Sequence, residues 1–236
     1  MLFNLRWGKR SVCLAVDRRL NSNSMMISDL EIELVLLRHG STRWNAERRY
    51  LGYTDMPLLP GSLEQLKGLA EQPNLHEDFW RVYSSDLIRC KETLACVVPK
   101  WKDTAVYDKR LREMNFGDWE GLTYEDLKEN RTYRDWLDDP GAVTPPNGES
   151  WEQFEGRVNS FLLTLTQAVE LDFTARRDKG EEDPGPKRIL IVTHGGVIRL
   201  LLASAQPGLS FQEIVSPPPG MTSVLRLGWR YGQWNR

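Results

Sequence analysis

Leu34-Val35-Leu36-Leu37-Arg38-His39-Gly40 decides how the chain is read, because the phrase returns as Ile189-Leu190-Ile191-Val192-Thr193-His194-Gly195-Gly196. Each is a short apolar run containing β-branched residues, stopped by a polar pair and glycine. That pattern describes a strand covered on both faces, as in a parallel sheet packed between helices. The chain has only three histidines, and two of them close these phrases, 155 residues apart. Open α/β sheets bind ligands at the carboxyl ends of their strands, so the two phrases predict one shared site.

Outward from these phrases, strand and helix signals alternate from residue 32 onward. Ile32 to Leu37 gives the first strand and Arg81-Val82-Tyr83-Ser84 a second. Ser85 stands where it could cap a helix running from Asp86 to about Val98. Thr123 with Asp126, and Ser150 with Gln153, have capping-box spacing. After Ser150, the apolar residues Trp151, Phe154, Val158, Phe161, Leu162, Leu165 and Val169 keep a helical period, which predicts a long core-facing helix. The charged stretch from Asp172 to Lys187, with its glycines and prolines, reads as a surface loop. A strand at 189–193, an apolar helix from about Val197 to Ala203 and a last, edge-type strand from Ser223 to Trp229 complete the series. The fold expected is a three-layer α/β/α sandwich on a mostly parallel sheet.

At 236 residues and 40% hydrophobic, the chain suits one such domain, read as 31–236. The net charge of -2, with Lys and Arg scattered, argues against a nucleic-acid or membrane partner, so any anion site must be local. Cys13, Cys90 and Cys96 show neither metal spacing nor an even count, which fits a reducing cytoplasm. No run approaches the ~18 apolar residues of a membrane span. Val12 to Val16 is also shorter than the ~7-residue core of a signal peptide. Residues 1–30 read as a leader, either disordered and transit-like or an over-extended start, and Met25-Met26 favours the latter. The sequence sets no oligomeric state, and a homodimer is compatible with it.

The turn Gly40-Ser41-Thr42-Arg43-Trp44-Asn45 is expected to expose backbone N–H groups that could cradle an anion. Arg38 beside His39 suits a phosphate dianion. The helix after His194 offers a positive N-terminus to the same charge. Arg89 falls in the first turn of the predicted 86–98 helix, where a cation is unfavourable unless an anion sits nearby. His76, in the polar stretch Asn74 to Asp78, reads as a surface residue.

Four phrases now stand in order: Leu37-Arg38-His39-Gly40, Ser84-Ser85-Asp86-Leu87-Ile88-Arg89, Leu111-Arg112-Glu113-Met114-Asn115-Phe116-Gly117-Asp118-Trp119-Glu120-Gly121 and Thr193-His194-Gly195-Gly196. Together they resemble the histidine phosphatase superfamily, with its phosphoglycerate-mutase-like fold, over roughly residues 32 to 204. The resemblance implies a phosphohistidine mechanism. His39 would attack phosphorus, Arg38, Arg89 and His194 would hold the phosphoryl oxygens, and Glu113 would serve as acid and then base. Glu120 is the weaker candidate acid, and a plain solvated carboxylate is the alternative for Glu113. Thr42, Asn45, Gly195 and Ser150 are assigned to substrate binding. No metal or other cofactor is implied, and the partner is a small phosphomonoester.

Within the superfamily, the wording of 111–121, of Thr123-Tyr124-Glu125-Asp126-Leu127 and of Pro145-Pro146-Asn147-Gly148-Glu149-Ser150 is most similar to α-ribazole phosphatases, which remove a 5′-phosphate late in cobalamin assembly. Broad-specificity and sugar-phosphate phosphatases use similar phrases. The mutases carry Glu-Arg-His-Tyr-Gly where this chain has Glu113-Met114-Asn115-Phe116-Gly117, so hydrolysis is expected rather than phosphoryl transfer. A relative that binds phosphate without turnover would be expected to have lost one of these groups, and all are present. Phe116, Trp119, Tyr124, Tyr133, Trp136 and Trp151 could stack on an aromatic substrate, or pack as core at their i, i+3 spacings. Pro57-Leu58-Leu59-Pro60-Gly61-Ser62 departs from the family's Pro-Leu-Ser-x-x-Gly, which predicts an altered helix start rather than lost catalysis.

Overall fold

The computed structural model describes residues 30–72, 75, 78–181, 185–206, 208–230 and 233–235. Residues 1–29 of the expected 1–30 leader lie outside them, as does His76, while Leu30 belongs to the first strand. In chain order the elements are strand β1 (Leu30–Arg38), helices α1 (Arg43–Ala46) and α2 (Pro60–Leu69), strand β2 (Arg81–Ser84) and helix α3 (Ile88–Val97). Strand β3 (Val106–Tyr107), short helices α4 (Tyr124–Leu127) and α5 (Arg131–Asp138) and the long helix α6 (Trp151–Asp178) follow. Strand β4 (Lys187–Thr193), helix α7 (Gly195–Ser204), and strands β5 (Thr222–Arg230) and β6 (Gln233–Asn235) close the described chain.

The sheet order is β3-β2-β4-β1-β5-β6. The first four strands are parallel, whereas β5 runs antiparallel to β1 and β6 antiparallel to β5. Side chains of β1 alternate between the faces. Ile32, Leu34 and Leu36 join Ile189, Ile191 and the apolar faces of α6 and α7. Val35 and Leu37 join Leu190, Val192 and the faces of α2 and α3. Two helical layers on one sheet are the expected α/β/α sandwich, and burial on both faces is why the central strands are apolar without alternation.

Several expected boundaries move. α3 starts at Ile88, and Ser85 does not cap it; the first-turn N–H of Ile88 donates instead to Asp55 Oδ1 at 2.7 Å, from a segment 33 residues earlier. α6 runs through the stretch read as a loop as far as Asp178. Asp172 binds Arg176 one turn on at 3.0 Å, and Phe173 still packs on the core, so local charge did not end the helix. β5 is not an edge, because β6 follows after only Tyr231 and Gly232 and pairs with it. α2 begins with Pro60 at its first position and Leu59 as an N-cap that makes no side-chain bond, which is the altered helix start expected there.

The boxes at Thr123–Asp126 and Ser150–Gln153 form as their spacing predicts. Replacing Ser150 with Ala is expected to lower the unfolding free energy by ~1 kcal/mol, read from the urea midpoint.

Candidate active site

Parallel register places Arg38 of β1 opposite Thr193 of β4, and Ser84 of β2 opposite Val192. Backbone bonds carry the pairing one residue past the strands: His39 N donates to Thr193 O and Ser85 N to Val192 O, both at 2.9 Å. The His39 and His194 rings therefore meet edge to face, with centroids 5.0 Å apart.

Both histidines are buried. His39 Nδ1 lies 2.7 Å from Gly40 O. A carbonyl only accepts, so Nδ1 carries the proton and Nε2 keeps its lone pair. His194 has the opposite tautomer. Its Nδ1 accepts from Arg89 Nε at 3.3 Å, so its Nε2 carries the proton and donates to Ser85 Oγ at 2.9 Å. Burial, then the charge of Arg89, holds both imidazoles well below their ordinary range, because each disfavours the protonated form.

Arg89 is fully buried. Besides Nε, its terminal nitrogens donate to Thr54 O at 2.9 Å and Gly52 O at 2.6 Å. Arg38 donates to Pro217 O at 2.9 Å, and its buried Nε has no partner among the described residues. Its guanidinium lies against Gly195, the first residue of α7, where a Cβ would stand 3.1 Å from Arg38 Cζ. Glu113 Oε2 accepts from Gly196 N at 2.9 Å and Oε1 from Met114 N at 3.0 Å. A Cβ on Gly196 would stand 2.3 Å from Glu113 Oε1, so glycine is what lets the carboxylate reach the helix N-terminus. The structure thus brings Arg38, His39, Arg89, Glu113, His194 and Gly195 to one sheet edge.

Other expected site residues are engaged differently. The N–H groups after His39 do not form an open cradle: Gly40 N donates to Thr93 Oγ1 at 3.0 Å, Ser41 N to Ser62 Oγ at 2.7 Å and Thr42 N to Asn45 Oδ1 at 3.1 Å. Gly40 is needed for close packing, since a Cβ there would stand 2.5 Å from Ser62 Oγ. Thr42 and Asn45 are the two halves of the box that caps α1, and Ser150 Oγ accepts from Gln153 N to cap α6. Of the six aromatics that could stack or pack, Tyr124 is exposed and the other five pack on protein neighbours. Trp119 and Tyr133 are buried with Leu127, and Tyr50, Phe116 and Trp136 close around them. Trp151 packs on Phe211 at 4.8 Å.

Reading the sequence missed the groups that hold this site in place. Ser85 was visible only as a possible cap, yet it binds His194. Glu120 accepts from Tyr53 N and Thr54 N, each at 2.7 Å, and so fixes the loop whose carbonyls hold Arg89. Arg157 of α6 and Glu149 grip the segment that carries Glu113. Burial gave no advance signal for these, because their bonds join segments tens of residues apart.

A family model described as the histidine phosphatase superfamily (branch 1) matches residues 34–236. The chain belongs to this superfamily. Phosphoglycerate mutase-like protein 4 of Arabidopsis thaliana is 35% identical over 179 residues, 74% of this chain and 71% of that protein. The adenosylcobalamin/alpha-ribazole phosphatase of Escherichia coli (strain K12) is 31% identical over 175 residues, 73% of this chain and 78% of that protein. The crystal structure of the alpha-ribazole phosphatase from Shigella flexneri superposes with a TM-score of 0.69 at 27% identity, covering 86% of this chain and 94% of that one. Among the described residues, no helix of this superfamily member is long and apolar enough to cross a membrane.

The histidine pair makes stability depend on pH. Both imidazoles have folded values below the ~6.5 of an unfolded chain, so the unfolded state binds more protons once pH falls below that value, and stability drops with it. Urea midpoints are expected to be level above pH 7 and to fall from pH 6.5 to 5. Replacing both histidines with Asn should flatten the fall, and a level wild-type profile would contradict a neutral buried pair.

Proposed function

We propose that this chain hydrolyses a small phosphomonoester, α-ribazole 5′-phosphate, through a phosphohistidine on His39 and without a metal ion. The observation that carries the chemistry is the His39 tautomer: Nδ1–H is tied to Gly40 O, which leaves a bare Nε2 beside Arg38, Arg89 and His194. In the reaction, Nε2 attacks phosphorus in line, the N–P bond forms and the ester P–O bond breaks. Glu113 gives its proton to the leaving oxygen. A water then attacks the phosphohistidine, Glu113 takes that water's proton, and phosphate departs.

The cations supply electrostatic stabilisation. Arg38 Nε is a buried donor with no internal acceptor, so an equatorial oxygen would satisfy it. Arg89 has committed three of its five N–H groups to protein, leaving two on its terminal nitrogens. His194 Nε2–H can be shared between Ser85 and a phosphoryl oxygen. Monoester hydrolysis needs acceleration of up to ~10²¹, roughly 28 kcal/mol, which calls for nucleophile, acid and cradle together.

Two observations support hydrolysis over mutase transfer: Met114 is buried, and Asn115 Oδ1 accepts from Gly117 N at 2.9 Å. Neither offers a cation or hydroxyl to a substrate carboxylate. The α-ribazole assignment is supported by the similarity to the Escherichia coli and Shigella flexneri proteins.

Phosphate release in EDTA should be selective for α-ribazole 5′-phosphate over sugar, nucleoside and three-carbon phosphates. Broad hydrolysis would remove that substrate and keep the chemistry. His39→Ala should abolish release together with the acid-labile, base-stable phosphoenzyme; normal turnover by this variant would refute the covalent scheme. Gly196→Ala, which forces the Glu113 carboxylate aside, is expected to lower kcat by ~10²-fold, the scale of a lost general acid.

A further inference from the structure

Arg157 lies on α6, seven residues after its N-cap, and every N–H of its guanidinium has a protein acceptor. Nε donates to Glu149 Oε1 at 2.6 Å, and one terminal nitrogen donates to Arg110 O at 2.7 Å and Arg112 O at 2.6 Å. The other donates to Glu113 O and Glu149 Oε2, each at 2.9 Å. Glu149 continues the grip on the far side of the acid: its Oε2 accepts from Asn115 N at 3.2 Å, and its own N donates to Asn115 O at 2.9 Å. Thr193 Oγ1 takes the remaining carbonyl, Leu111 O, at 2.8 Å. The backbone is therefore pinned at 110, 111, 112, 113 and 115, which surrounds the one residue whose side chain reaches Gly196.

We propose that Arg157, with Glu149 as its counter-ion, is the positioning residue for the acid Glu113; this rests on the phosphohistidine reading above. The fork geometry explains why arginine is used. Two carbonyls are held by one nitrogen while a carboxylate is held by the opposite edge, and a lysine ammonium cannot span both. The pair aims the carboxylate without touching substrate. General-acid catalysis depends on holding the proton within hydrogen-bond reach of the leaving oxygen, and a small misplacement is enough to lose it. A loosened 110–115 segment should therefore slow proton delivery while leaving attack by His39 intact.

The test compares wild type with Arg157→Lys and Glu149→Gln on two esters in the first turnover. p-Nitrophenyl phosphate expels a stabilised anion that needs no proton, whereas α-ribazole 5′-phosphate, a primary alkyl ester, needs one. Thermal melts show which variants are folded, and Glu149→Gln, of nearly unchanged shape, serves if Arg157→Lys does not fold. The expected result is a first-turnover burst of p-nitrophenol within about threefold of wild type, with the alkyl ester slowed by ~10²-fold, the pattern that Glu113→Gln should also give. Equal losses on both esters, or no loss on either, would overturn the positioning role alone. Failure of wild type to form phosphohistidine from either ester would instead remove the mechanism on which the role stands.

Discussion

Parallel pairing of β1 with β4 sets Arg38 opposite Thr193, and the residues that follow leave the sheet side by side. Everything at the site is referred to that pairing. It brings His39 and His194 within 5.0 Å, and it places the start of α7 where Gly195 and Gly196 can receive Arg38 and Glu113. β2, parallel on the other side of β4, delivers Ser85 to His194. An antiparallel arrangement of the same strands would put the two histidines at opposite edges.

Burying two guanidiniums beside two imidazoles is costly unless each is hydrogen-bonded. The chain meets that cost with carbonyl oxygens. Arg89 rests on Gly52 O and Thr54 O, and Arg38 on Pro217 O. Among the described residues, neither has a carboxylate as a hydrogen-bond partner. Carbonyls satisfy donors without cancelling their charge, so a positive field survives in a protein whose net charge is -2. Two arginines of the neighbouring scaffold are treated differently: Arg112 is paired with Asp86 and Arg157 with Glu149, each by two bonds. Paired arginines brace the scaffold, and carbonyl-held ones keep their charge available. Burial, and after it the same field, keeps His39 and His194 neutral, which is the state in which Nε2 of His39 has a lone pair to use.

How much could be read in advance follows from the range of the forces involved. The central strands, the Thr123 and Ser150 caps and the apolar stripe of α6 are local patterns, and they form where their periods and spacings place them. Where the prediction slipped, a distant group had replaced a local one. Asp55 takes over the N-terminus of α3 from Ser85, the Gly40 turn spends its N–H groups on Thr93, Ser62 and Asn45, and the aromatic segment packs upon itself. Asp55, Thr93 and Ser62 lie 33, 53 and 21 residues from the groups they satisfy, outside any sequence window, whereas Asn45 is a local partner in the box of α1.

By itself, then, the sequence determined the buried parallel strands, the histidines at their ends and the superfamily, because these depend on short-range hydrophobic patterns and on ordered motifs. Only the tertiary structure decided the tautomers of His39 and His194, the carbonyl beds of Arg38 and Arg89, and the brace of Arg157 and Glu149 around Glu113. Those depend on which acceptor lies within about 3 Å, and that distance is set by how the layers pack.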